Sequence, residues 1–254
     1  MEESKGKIHK LYPEGKYRTI VLDTINALQN NLYEEMMYGK KGSHDQWKDF
    51  GMEIYKLYSD IKKLPNTVLV QVLGLEGTGK TVGAKHLDPR TTQYLNTDAK
   101  PLSFFGANRM YTDSPNEIHI ANGIPKNLRT PSTYIETMDM IEKIHSFRMG
   151  TLIVFVLGHI ETYTLPEGGN GQRLKVLGKQ ATKLGIEGLN TNHTYYTKID
   201  VQYGVKDPNR YKLVTHNSGF NTVRSPEGFW DGDILNNYQT IVDRILEDTG
   251  ELEK

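Results

Sequence analysis

The chain has 254 residues, with 31 Lys and Arg balanced by 31 Asp and Glu and a pI near 7.1. That balance argues against a uniformly basic coat for nucleic acid, and the length suffices for a large core without staples. The absence of cysteine excludes disulfide frameworks, thiolate zinc sites and cysteine nucleophiles.

The opening MEESKGKIHK is charged where a signal peptide is apolar, and the longest apolar run, Leu152–Leu157, is too short to span a bilayer. The expectation is a soluble cytoplasmic protein with no membrane partner. Residues 1–17 read as a polar arm. A β-branched run, 17–23, ends in Asp23, and a helix follows over about 24–38 with Ile25, Leu28, Leu32 and Met36 on one face. After a loop at 40–44, a second helix runs from about 46 to 63 and stops at Pro65. Strands are expected at 68–73, 93–96, 117–120, 151–158, 194–201 and 211–215. Further helices are expected after Lys80, ending by Asp88-Pro89, and at 134–147 and 234–247. Alternating strands and helices with a strand-rich tail predict an α/β fold. We expect one domain, divided into an arm (1–17), a strand with helices (18–65), a core (66–160) and a β-rich C-terminal part with its closing helix (161–254).

The most specific motif is Gly74-Leu-Glu76-Gly77-Thr78-Gly79-Lys80-Thr81. It has the Walker A form, preceded by a strand and followed by a helix. Glycines let the backbone wrap around phosphate, Lys80 bridges the β- and γ-phosphates, and the Thr81 hydroxyl holds Mg²⁺. The expected nucleotide contacts are Gly74, Glu76, Gly77, Thr78, Gly79, Lys80, Thr81 and Val82, with Glu76 facing solvent. The ligands are ATP and Mg²⁺, although no residue pattern separates adenine from guanine.

Hydrolysis also needs a carboxylate at a strand end to hold the magnesium water shell. No hydrophobic strand after the loop ends in Asp, but Thr19-Ile-Val-Leu-Asp23 before it does. Asp23 is therefore the candidate second metal residue beside Thr81; the alternative is that it caps the helix that follows. Asp98 is placed to orient or deprotonate the attacking water, or is a turn residue. His159, at the end of the most apolar strand, either senses the γ-phosphate or packs.

The P-loop, the Asn96-Thr97-Asp98-Ala-Lys100-Pro101-Leu102 turn and the Val154-Phe-Val-Leu-Gly-His159 strand resemble phage-encoded RecA-like ATPases of the AAA class. That group includes proteins of single-strand annealing and recombination. The stretches Gly178-Lys179 to Gly185-Ile-Glu-Gly188 and Asn221-Thr-Val-Arg224-Ser-Pro-Glu-Gly228-Phe229 carry the same resemblance. It implies a RecA-like P-loop core with a mainly parallel sheet flanked by helices, ATP hydrolysis, a homo-oligomer, single-stranded DNA as partner, and a host-cytoplasm location for a viral protein. Relatives place the Walker B strand between the second strand and the histidine strand. Here the segment around Asp23 stands before the P-loop, which suggests a circularly permuted core.

Such ATPases complete their sites with a neighbouring subunit's cation, for which Arg224, Lys175 and Lys179 are candidates, or else solvated surface charges. Arg173, Lys175, Lys179 and Lys183 beside Gly168–Gly171 form a candidate DNA-backbone element, and Tyr195 and Tyr196 either stack bases or pack across strands. Two other functions compete. One is a nucleotide-binding structural or regulatory protein with weak or no hydrolysis. The other is a small-molecule kinase, which lacks here the arginine-rich lid such enzymes carry.

Overall fold

The computed structural model describes residues 17–37, 43–110, 119–121, 124–126, 128–129, 133–146, 148, 150–165, 167–177 and 191–252. Its strands are β1 (Thr19–Asp23), β2 (Thr67–Gly74), β3 (Thr92–Asn96), β4 (His119–Ala121), β5 (Ile124–Lys126), β6 (Leu128–Arg129), β7 (Leu152–Thr164), β8 (Asn170–Leu174), β9 (His193–Ile199), β10 (Tyr211–Val214) and β11 (Ile234–Leu235). The helices are α1 (Ile25–Met37), α2 (His44–Lys63), the single turn α3 (Ala107–Met110), α4 (Tyr134–Ser146) and α5 (Tyr238–Asp248). A 3₁₀ helix, Thr81–His86, follows the glycine-rich loop.

The main sheet has the order β11-β10-β9-β2-β7-β1-β3-β6, with β8 paired to β7. From β9 through β6 every neighbouring pair on that path is parallel, whereas β10, β11 and β8 attach antiparallel. The result is an α/β fold with a mostly parallel sheet flanked by helices. Its central strands are apolar on both faces, as a sheet covered on both sides requires. Successive residues point to opposite faces: Leu152, Val154 and Val156 join α1, α2 and α4 in one core. Ile153, Phe155 and Leu157 join the 3₁₀ turn and α5 in the other.

Local signals explain the element ends. A capping box starts α2, Gln46 N–H donating to Ser43 Oγ at 3.3 Å and Ser43 N–H to Gln46 Oε1 at 2.9 Å. The helix stops at Leu64, held extended by the following proline. The closing helix was expected from residue 234, but 234–235 pair with β10 and α5 begins only after Asn237. Its side-chain oxygen accepts the Gln239 and Thr240 N–H groups. β7 continues six residues past Gly158, because its second half pairs with β8 in a hairpin where the sequence predicts no strand. Among the described residues no helix is long and apolar enough to cross a membrane.

Candidate functional site

The carboxyl ends of β2, β7, β1 and β3 meet at a cleft of about 450 Å³. This is the edge at which open α/β sheets bind ligands. Asp23, Glu76, Gly77, Gly79, Lys80, Thr81, Val82, Asp98 and His159 all line it. Of the expected loop residues, Gly74 and Thr78 are not in the lining. Thr78 Oγ1 donates to the Leu75 carbonyl at 2.7 Å and meets Thr197 Oγ1 at 2.6 Å, tying the loop to β9.

Asp23 and Thr81 are in direct contact, the Thr81 hydroxyl donating to Asp23 Oδ2 at 2.8 Å. The alternative role for Asp23 fails, because α1 is capped by Thr24, whose Oγ1 accepts the Ala27 N–H at 3.2 Å. The Tyr94 hydroxyl, fully buried in β3, donates to the same Asp23 oxygen at 2.5 Å. Asp23 is itself buried, which raises its pKa; the bonds from Tyr94 and Thr81 and the nearby Lys80 charge pull the other way. The end of β3 is fixed to the end of β1 through Thr97, whose N–H donates to the Asp23 carbonyl at 2.9 Å and whose hydroxyl donates to the Thr24 carbonyl at 2.7 Å.

The Lys80 ammonium donates to the carbonyls of Gly74 (2.9 Å) and Leu75 (2.8 Å) and lies 3.4 Å from His159 Nδ1. Burial pushes its pKa down to about 8, against the attraction of Asp23 and Glu76. His159 is likewise pushed down, by burial first and by the Lys80 charge second. His159 does not end its strand. It pairs with Gly74 at the last parallel register, where β7 leaves the sheet for the hairpin. Its N–H donates to Asn26 Oδ1 at 2.7 Å and its carbonyl accepts the Lys175 N–H at 2.7 Å. Glu76 is exposed, and Asp98 forms an ion pair with Lys100 at 2.8 Å on the cleft wall.

Other candidates lie elsewhere. Arg224 forms a β-bridge with Thr194, has an exposed side chain and does not line the cleft of its own chain. Lys179 and Lys183, with the whole of the 178–188 stretch, lie outside the described residues. Arg173 bonds Glu161 at 2.9 Å and covers the Tyr163 ring, so it sits in a hairpin and not in a free loop. Tyr195 and Tyr196 are buried, bonded to Trp230 and to the Gln172 carbonyl, and offer no face to a base.

No protein-family model, curated protein or solved structure matches the chain.

Sequence reading missed Tyr94, Asn236 and Tyr238. Asn236 donates Nδ2 to the Gly79 carbonyl at 2.6 Å, and the Tyr238 hydroxyl donates to the Lys80 carbonyl. Tyr211, also missed, lines the cleft and packs against Gly79. Among the described residues no group of three or more His, Asp or Glu is placed to hold a metal alone. Magnesium bound with phosphates takes one or two carboxylates and keeps several waters, so a hydroxyl and a carboxylate in mutual contact fit that ion.

Proposed function

We propose that the chain binds a nucleoside triphosphate with magnesium and hydrolyses it. The observation that carries this reading is the Thr81–Asp23 contact at the mouth of the loop, 2.8 Å across 58 residues of sequence. Thr81 would hold the ion directly and Asp23 through water, and the ion supplies neutralising charge at the transferred phosphate. Lys80, leaving the carbonyls it now contacts, neutralises the β- and γ-phosphates. Asp98 faces the cleft and orients the attacking water, and His159 couples the γ-phosphate to the β7–β8 hairpin.

The RecA-like reading draws support from the sheet order β9-β2-β7-β1-β3, which puts the Asp23 strand β1 between the histidine strand β7 and β3, the strand that follows the loop. On this reading one strand and its helix are relocated to the front of the chain. A circular permutation would keep β7 directly after β1, whereas β2 and β3 intervene here. Single-stranded DNA as partner rests on the resemblance and on the hairpin beside His159. Arg224, exposed and away from its own cleft, suits completion of a neighbouring subunit's site in a homo-oligomer. The Asp98–Lys100 ion pair favours a second reading, a nucleotide-binding structural or regulatory protein with little hydrolysis, since it occupies the candidate base.

Magnesium-dependent phosphate release by the wild type, Lys80→Ala and Asp23→Asn, with and without single-stranded DNA, tests both. Release that DNA stimulates and both substitutions sharply reduce supports the ATPase. Binding without turnover leaves the second reading, and a rate indifferent to DNA removes that partner.

A further inference from the structure

Two side chains from the C-terminal segment hold the carbonyls of the phosphate loop from behind. Asn236 bonds the Gly79 carbonyl and Tyr238 the Lys80 carbonyl. Both are buried, and neither lines the cleft. Tyr238 is fixed in turn by stacking on Phe155, with centroids 4.9 Å apart and planes 8° from parallel.

A trans peptide points its carbonyl and its N–H in opposite directions. The Gly79–Lys80 and Lys80–Thr81 peptides are trans. Carbonyls drawn toward Asn236 and Tyr238 therefore turn the Lys80 and Thr81 N–H groups to the opposite side, where those residues line the cleft. Consecutive N–H groups aimed at one point make an anion-binding concavity. Gly77 and Gly79, both at positive φ, leave the loop many other conformations; the Gly83 N–H, which reaches the Gly79 carbonyl at 3.3 Å, and the two C-terminal donors together select this one.

Asn236 shows a cost that packing alone does not explain. Its Oδ1 is buried without a partner, against Gly83. An unpaired buried oxygen destabilises the fold, and an apolar residue of similar size avoids it. What the amide supplies against that cost is the Nδ2 bond to the Gly79 carbonyl.

We propose that Asn236 and Tyr238 are positioning residues that pre-organise the loop for an oligophosphate; this rests on the nucleotide reading above. A loop already set in its binding conformation does not lose that freedom when the anion arrives.

The test titrates inorganic tripolyphosphate with magnesium into the full chain by calorimetry, with a thermal melt of each variant. Tyr238→Phe keeps the ring and its stack and removes the donor; Asn236→Leu removes donor and unpaired oxygen together. Each is expected to weaken tripolyphosphate about tenfold, one hydrogen bond's worth, and Asn236→Leu to melt no lower than wild type. Phe50→Leu, buried in α2 in the opposite core and away from the loop, is expected to melt lower with affinity unchanged. Wild-type affinity in both donor variants, or weakening that follows melting temperature in all three, overturns the proposal. A wild-type chain that binds no tripolyphosphate overturns the nucleotide reading, and this inference with it.

Discussion

Thr81 donates its hydroxyl to Oδ2 of Asp23 at 2.8 Å, joining the turn after the glycine-rich loop to the end of a strand 58 residues earlier. The carboxylate there is buried, and burial outweighs the bonds that favour its charge. A charge held at such a cost destabilises the resting fold, so its neutral isostere relieves it. Asp23→Asn is therefore expected to gain about 1 kcal/mol in stability while hydrolysis falls on the order of a hundredfold. Urea unfolding and phosphate release measure the two. Loss of both stability and activity would make Asp23 a structural residue.

Much of this site is legible in the sequence because its signals are local. A glycine-rich loop between strand and helix, and an acid ending a β-branched run, are patterns within ten residues, and both reach the cleft. Asp98 follows from the same strand-end logic, whereas His159 reaches the cleft although β7 runs on past it. Tyr94, Asn236 and Tyr238 are not legible, because each matters through a partner 71 to 158 residues away. Their roles depend on which strands are neighbours, and β1 between β7 and β3 cannot be read from chain order. Tyr195 and Tyr196 show the same limit: alternating aromatics on a strand look alike whether they face a core or a ligand.

The loop's two glycines at positive φ separate backbone cost from crowding. Gly77 has φ +73 and open space around an added Cβ. Gly79 has φ +94 and would put that Cβ 2.6 Å from Tyr211 Cδ1. Gly77→Ala is expected to cost about 1 kcal/mol, the left-handed penalty alone, and Gly79→Ala about 1–3 kcal/mol more. In the Tyr211→Ala background the extra cost of Gly79→Ala is expected to shrink, with Asn236 Nδ2 at 3.0 Å from the added Cβ still in place. Denaturant midpoints of the four chains and wild type give the comparison, and an unchanged cost in that background assigns it to the backbone or to Asn236 and not to Tyr211.

Burial pushes the His193 imidazole down to about 4. It lies 4.7 Å from the Phe229 ring and pairs with the Tyr195 hydroxyl at 3.1 Å. An unfolded histidine titrates near 6.5, so between those values the unfolded chain takes up a proton that the folded chain refuses. This contribution is constant above about pH 6.5 and is lost as pH falls toward 4. It amounts to about 2 kcal/mol between pH 7 and pH 5. Urea unfolding at both pH values is expected to show a drop in wild type larger by that amount than in His193→Gln. Equal drops would assign the acid sensitivity to other groups.

Tyr94 donates at 2.5 Å to the same Asp23 oxygen that Thr81 uses. Burial raises the Asp23 pKa most, and the Tyr94 bond is the largest influence lowering it. Removing the hydroxyl therefore moves Asp23 further up. An enzyme that needs the carboxylate loses activity as pH falls through that pKa, so the acid limb of the rate profile shifts to higher pH in Tyr94→Phe. Above the acid limb and below the Lys80 pKa of about 8, kcat is expected to stay near wild type, because Thr81 and a charged Lys80 still face an ionised Asp23 there. A pH–rate profile from about pH 5 to 9 reads the limb directly. An unmoved limb with a lowered plateau would mean that Tyr94 acts through geometry alone and that another group sets the acid side of the profile.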